Sequence, residues 1–255
     1  MTMKWRLIEE ETYDAAANMA LDHAIYENVA AGRELPTIRF YKWKKNSISL
    51  GAYQNPAEIN LDECRKNNVD IVRRMTGGRA VFHDMNDFTY SVIAPIRVFG
   101  YSIEKAYRDI CYWIIDALTE LGIESNLENK NDILVKGKKI SGNAAKALDK
   151  GIYLQHGTLI YDLDLEIMPS TLNIKKELVK GKVTSVLKHK KIDRKEVYES
   201  LRSSFAFGKE FFVDTPSKTE TEKSQELAKE RYRSIMLPYG SFMKNKGACY
   251  VERGG

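Results

Sequence analysis

The apolar positions of the chain change period several times. From Ala17 they fall at Leu21, Ala24, Ile25 and Val29, the spacing of one helix face, with Asp14 placed to cap the start and Gly32 to end it. Two runs rich in Ile, Phe and Tyr follow, 37–43 and 47–53, and the polar Lys44-Lys45-Asn46 between them suits a hairpin. Positions 60–68 fit a short helix capped by Asn60. Strand patterns return at 70–74, 80–83 and 88–94, the last stopped by Pro95. Ala106, Ile110, Ile114 and Leu118 predict a longer helix over 103–121, closed by Gly122 because glycine best tolerates a left-handed cap. Further strands are expected at 132–136, 138–144 and 152–161, with Gly137 at the first turn, and a charged helix at 219–234.

Strands that follow one another, with helices between only some of them, imply an α+β (mixed α/β) domain. Its central mixed, largely antiparallel sheet would be flanked by helices. Neither a repeat nor a low-complexity linker marks a boundary before about residue 205.

Composition narrows the class. With 43% hydrophobic and 29% charged residues in 255, the chain can bury a core, and disorder as the dominant state is excluded. No stretch approaches the roughly 20 apolar residues of a membrane span. The start runs from Met1 to Arg6 into Glu9, Glu10 and Glu11, where a signal peptide would need apolar residues, so a cytoplasmic protein without membrane attachment is expected. Cys64, Cys111 and Cys249 are too scattered for a disulfide framework or a zinc site. The net charge is only +5, but lysines are dense from Lys175 to Lys195. They fit either a solvated surface or an acidic partner. Nucleic acid is not expected, because no aromatics interleave with them.

Three segments carry candidate chemistry. Arg73-Arg74-Met75-Thr76-Gly77-Gly78-Arg79-Ala80-Val81-Phe82-His83-Asp84 places guanidiniums before a double glycine and a strand. Glycines admit an anion close to backbone N–H groups and arginine offers forked donors, the makings of a phosphate cradle. The same residues equally serve an ordinary turn with surface ion pairs, and they match neither the Walker spacing nor the dinucleotide fingerprint. The second segment is Asn131-Asp132-Ile133, then Lys139-Ile140-Ser141-Gly142-Asn143-Ala144. As a strand it puts Lys139 and Ser141 on one face, with Gly142 leaving room for a ligand or another backbone. The third, Gln155-His156-Gly157-Thr158-Leu159, sets a histidine in an apolar strand, where a satisfied core residue is the plain alternative.

Together with Asn18-Met19-Ala20-Leu21-Asp22 and Ile38-Arg39-Phe40-Tyr41, these segments resemble, in residues and order, the lipoate-protein ligase family of the biotin/lipoate ligase and octanoyltransferase superfamily. The resemblance spans about residues 5 to 165. It implies a catalytic domain like that of biotin ligases and class II synthetases, here residues 1–236, with 237–255 a tail of unknown role. It implies activation of lipoate by ATP to lipoyl-AMP, then transfer to a lysine of apo lipoyl domains of 2-oxoacid dehydrogenase complexes or of the glycine-cleavage H protein. Carried onto this chain, Lys139 becomes the catalytic residue, bridging carboxylate and α-phosphate. Arg74, Gly77, Gly78, Arg79, Ala80, Val81, Phe82, Asn131 and Asp132 become nucleotide-binding, with Asp132 the ligand for Mg²⁺. Arg74, His83, Lys139, Gly142 and His156 would bind lipoate, and residues around Phe40, Leu50 and Tyr53 would line the acyl slot.

Two departures stand beside this. Arg79 replaces a third glycine of many ligases, and Gly-Gly-Arg occurs in related octanoyltransferases that use a cysteine thiolate and no ATP. The family position of that cysteine falls within 126–138, where this chain has none. The chain is also shorter than two-domain ligases, so either the catalytic domain works alone or a separate protein supplies the accessory part. A non-catalytic lipoate-binding relative is the remaining alternative.

Overall fold

The computed structural model describes residues 3–146 and 149–233. In chain order the elements are β1 (Lys4–Tyr13), α1 (Ala15–Ala30), β2 (Thr37–Trp43), β3 (Ser47–Leu50), α2 (Leu61–Lys66), β4 (Asp70–Arg73), β5 (Val81–His83), β6 (Phe88–Pro95), α3 (Ile103–Glu120), β7 (Asn126–Glu128), β8 (Asp132–Val135), β9 (Lys138–Ala145), β10 (Ile152–Leu159), α4 (Ile167–Thr171), α5 (Lys176–Lys182), α6 (Val186–His189), α7 (Arg194–Ala206), β11 (Glu210–Asp214) and α8 (Lys218–Leu227).

Eight of the described strands form one sheet in the order β11-β1-β2-β6-β10-β9-β8-β7, and β4-β3-β5 form a small second one. β1 runs parallel to β11 and β2, while the other pairings of the large sheet are antiparallel. This is the mixed, largely antiparallel sheet that the order of elements predicts. Alternation along β2 gives it two buried faces: Ile38 and Phe40 pack with α3 and α7, Tyr41 and Trp43 with α1. The small sheet buries Ile48, Leu50 and Phe82 beneath α2 and α4.

Helix α1 begins as its capping residue predicts, with Asp14 Oδ1 accepting from Ala17 N at 2.8 Å. It is not a one-sided surface helix. Wedged between the large sheet, β4 and α8, it buries Asn18, Asp22, His23 and Asn28 along with its apolar residues. Arg39 of β2 compensates two of these, donating to Asp22 Oδ1 and Asn18 Oδ1, each at 2.7 Å.

One expectation changes, and other elements carry no sequence pattern. The runs at 37–43 and 47–53 are not a hairpin: both edges of β2 are taken by β1 and β6, so Lys44-Lys45-Asn46 carries the chain to the other sheet. β1 was hidden by its charges. Its Arg6 is fully buried and bidentate to Glu220 at 2.9 and 2.6 Å, with a third bond to Thr37 Oγ1 at 3.1 Å, a pairing across 214 positions that no local pattern shows. Among the elements not read from sequence, α7 packs into the core beside α3 and β11 adds an edge strand to β1. The tail 237–255 and the end of the charged helix expected at 219–234 lie outside the described residues.

Candidate active site

A cavity of about 350 Å³ is lined by residues from both sheets and from the loop that joins β4 to β5. The double-glycine loop forms one wall, and its shape depends on a close approach. A Cβ on Gly51 would lie 1.8 Å from Gly78 O, so the backbone after β3 and the loop touch directly, while Gly78 itself takes φ +93°.

Two buried guanidiniums brace this wall. Arg73 Nη1 donates to the carbonyls of Gly51 at 2.9 Å and Gln54 at 2.7 Å. Arg74 spends every nitrogen on protein: Nη1 on Ser49 O at 2.7 Å, Nε on Thr76 Oγ1 at 3.0 Å, and Nη2 on Gly77 O at 2.7 Å and Arg79 O at 2.8 Å. Arg74 is 3% exposed, and burial lowers its pKa to about 10. Its hydrogen bonds hold the loop, and its charge, unpaired with any carboxylate among the described residues, makes the cavity favourable to an anion.

Lys139 stands on the opposite wall, in β9. Its Nζ pairs with Asp132 Oδ1 at 2.7 Å, and the two side chains are 37% and 24% exposed. The room beside Gly142 is filled by this lysine, since a Cβ there would meet Lys139 Cε at 2.7 Å and Nζ at 2.8 Å. Asp132 Oδ1 also accepts from Asn131 Nδ2 at 3.1 Å.

Asn131 is held from below. Asn143 N and Nδ2 donate to Asn131 O at 3.0 and 3.1 Å, and Tyr90 OH donates to Asn143 Oδ1 at 2.6 Å. That last bond crosses β10 between its two neighbours, and Gly157 is what lets it pass. Gly157 faces Tyr90 on one side and Asn143 on the other, and a Cβ would stand 2.1 Å from Asn143 Oδ1.

The two histidines are buried and satisfied largely by hydroxyls. His83 has Nε2 at 2.8 Å from Ser49 Oγ and Nδ1 at 3.2 Å from Thr158 Oγ1, and its ring stacks on Trp43 at 4.2 Å. His156 Nε2 is 2.6 Å from Thr76 Oγ1. Arg74 Nε donates to the same hydroxyl, and the other imidazole nitrogen, Nδ1, lies 3.7 Å from Asp22 Oδ2. That separation is too long for a direct hydrogen bond. Burial lowers both imidazole pKa values, that of His83 well below the usual range.

Among the residues singled out from sequence, Arg74, Gly78, Arg79, Ala80, Val81, His83, Asn131, Lys139, Gly142 and His156 line the cavity. Gly77 contributes its carbonyl to Arg74, Asp132 reaches the site through Lys139, and Phe82 turns into the core of the small sheet. Phe40, Leu50 and Tyr53 do not form the apolar wall: the first two are buried in other clusters, and Tyr53 is 69% exposed. Met19, Tyr41 and Trp43 do so instead, together with Ala80, Val81 and Ala144. Strand parity carries the signal, because Tyr41 and Trp43 share a face of β2 opposite to Phe40.

Among the described residues, no group of three or more His, Cys, Asp or Glu could hold a metal ion. Asp132 offers a single carboxylate, engaged through Oδ1 by Lys139 and Asn131; this fits Mg²⁺ only where phosphate oxygens and water complete its shell. The thiols lie elsewhere. Burial raises Cys64, in the small-sheet core, to about 11 and Cys111, on the core face of α3, to about 12.

Residues 14–206 match the family model described as the lipoyl protein ligase A/B catalytic domain. An octanoyltransferase LipM of Clostridioides difficile is 33% identical over 260 residues, an alignment covering 90% of this chain and 95% of that protein. A structure described as a bi-partite lipoate protein ligase, part of an archaeal lipoylation system with its E2 lipoyl domain from Thermoplasma acidophilum, superposes with a TM-score of 0.82 at 26% identity. That superposition covers 93% of this chain and 97% of the other. A lipoate-protein ligase A bound with ATP gives the same TM-score of 0.82 at 28% identity, over 93% and 99% of the two chains.

Proposed function

The chain belongs to the lipoyl protein ligase A/B catalytic domain family, and within that family of ligases and transferases we propose that it is an ATP-dependent lipoate-protein ligase. The observation that carries this reading is the chemistry in the cavity. It presents a lysine ammonium, while Cys64 and Cys111 are buried in other clusters with thiols raised by burial. Acyl relay through a cysteine needs an accessible thiolate. Adenylation needs only positioned cations and donors.

Lipoate enters with its chain against Met19, Tyr41 and Trp43 and its carboxylate toward Lys139. ATP lies along the Gly77–Phe82 segment, with Asn131 orienting it and the buried charge of Arg74 favouring its phosphates. A carboxylate oxygen attacks the α-phosphorus and pyrophosphate leaves. Lys139 exchanges Asp132 for the two anions and follows the charge as it moves between them. Asp132 is then free to meet Mg²⁺, which would neutralise phosphate charge when bound. In the second step the amine of an acceptor lysine attacks the acyl carbon, AMP leaves, and the amine proton passes to solvent. The acceptors are apo lipoyl domains of 2-oxoacid dehydrogenase complexes or the glycine-cleavage H protein. A separate accessory protein is a further candidate partner, as the likeness to a bi-partite ligase suggests.

The name of the curated relative, with Gly-Gly-Arg at 77–79, favours a second reading, cysteine-dependent transfer of octanoyl from a carrier. Its thiolate would have to be Cys249, outside the described residues, or one of the two buried cysteines.

One assay separates them. The chain is mixed with ATP, Mg²⁺, lipoate and an apo lipoyl domain, and acceptor mass and pyrophosphate are followed. Modification that requires ATP and Lys139 and survives Cys249→Ser supports the ligase. Success only with supplied lipoyl-AMP points to a missing accessory protein. Transfer from an octanoylated carrier, without ATP and lost in a cysteine variant, overturns the ligase.

A further inference from the structure

The segment that follows α5 is tied to the reacting lysine by its backbone. Val183 forms a parallel bridge to Lys139, Thr184 N donates to Lys139 O at 2.9 Å, and Val186 N donates to Ile160 O at 2.9 Å. Lys138 Nζ adds a bond to Lys180 O at 2.8 Å. The strap 180–191 is therefore fixed beside the backbone of Lys139.

Its charge is one-sided. Lys180, Lys182, Lys188, Lys190 and Lys191 occur with no Asp or Glu among them, and Lys136 projects from the neighbouring β8–β9 turn. Lys136, Lys180, Lys182 and Lys188 are exposed and form no ion pair among the described residues. Some other lysines pair, as Lys45 does with Asp70, Lys66 with Glu63, Lys105 with Asp109 and Lys223 with Glu226. None of the four lines the cavity, so they face outward rather than toward a small anion inside. Like charges gathered without partners repel one another, and an anionic surface relieves that cost.

We propose that Lys136, Lys180, Lys182 and Lys188 form the docking surface for the acidic face of an acceptor protein domain, steering its target lysine to Lys139. This rests on the reading that the chain delivers an acyl group to a protein lysine, by whichever donor. A protein fits better than nucleic acid, since 180–191 contains no Phe, Tyr or Trp to stack on bases.

The test measures binding without chemistry. A labelled acidic apo lipoyl domain is titrated with the full chain at low and physiological salt, without ATP or lipoate. For K180E/K182E/K188E the Kd should rise by about tenfold or more and its salt dependence should flatten. A charge-matched control away from the lysine-dense run, K44E/K218E/K229E, should keep the binding of the unsubstituted chain. Thermal melting checks that both triples fold, and the single Lys182→Gln should show a smaller loss in the same direction. Unchanged binding in the strap triple, or equal loss in the control, overturns the proposal. So does wild-type binding to phosphatidylglycerol vesicles but not to the domain. Lysine-dependent docking together with ATP-independent, cysteine-dependent transfer from an octanoylated carrier would sink the ligase and leave the surface standing.

Discussion

Two cations face the same cavity in opposite circumstances. Arg74, 3% exposed, has all its nitrogens bound to protein acceptors, whereas Lys139, whose side chain is 37% exposed, has one carboxylate partner at 2.7 Å. A cation whose donors are spent fixes a shape and contributes charge from a distance. A cation with one exchangeable partner can leave it for a substrate, and a planar five-donor group suits the first task as a point charge on a flexible stem suits the second. The wall built around Arg74 is therefore a scaffold, and the wall carrying Lys139 is where chemistry is expected.

The comparison breaks most visibly at Arg74. Arg74→Ala removes the donor of the buried Ser49 carbonyl and of the part-buried carbonyls of Gly77 and Arg79, and unfolding in urea should show a loss of about 2–4 kcal/mol. Arg74→Lys should recover little, because a single ammonium cannot reach acceptors spread around the guanidinium. Near-wild-type stability in Arg74→Lys would mean that charge alone holds the loop.

Lys139→Ala should do the reverse. Turnover should fall by about 10²–10³, the scale of losing one preorganised donor, with the midpoint of unfolding almost unmoved. A pair at this exposure contributes little to stability. A large drop in melting temperature would put Lys139 with the scaffold and end the distinction.

Gly51→Ala tests the contact between the walls' supports at smaller scale. The added Cβ, 1.8 Å from Gly78 O, meets backbone that cannot swing aside, so the loop must shift. We expect about 1–3 kcal/mol of destabilisation and weaker binding of the phosphate-bearing substrate. Normal nucleotide affinity in this variant would separate the loop's shape from its binding role.

What could be read in advance follows the same division. Local signals were legible: Asp14 caps α1, Gly122 closes α3 with φ +73°, and Lys136-Gly137 turns β8 into β9 with φ +50° and +73°. Lys139 and the double glycine were legible as a constellation, since their types and order are sequence properties. The destination of a guanidinium's donors is not, and so Arg74 reads as a phosphate ligand in sequence and as a brace in space. Burial of Arg6 against Glu220 and the choice of Tyr41 over Phe40 for the cavity wall depend on which elements cover which face, a fact of tertiary packing.

The smallest effect belongs to the scaffold's imidazoles. His83 and His156 are buried and their folded pKa values lie below the unfolded value near 6.5. Between those values the unfolded chain binds more protons, so folding stability is fully present above about pH 6.5 and is lost as pH falls toward the folded pKa. The slope is at most about 1.4 kcal/mol per pH unit for each group. Asp22, whose pKa is lowered by Arg39 and His156 against the opposing effect of burial, acts only in the lower carboxylate range, so the two windows separate. Their contribution to unfolding free energy should therefore decline from about pH 7.5 to 5, read as the difference between the parent chain and His83→Asn, because buried Asp87, whose pKa burial raises, acts in the opposite sense. An unchanged slope in His83→Asn would show that this imidazole, stacked on Trp43 and placed between two hydroxyls, takes up its proton without leaving the wall. It would then stand with Lys139 among the groups whose charge can change inside the folded cavity.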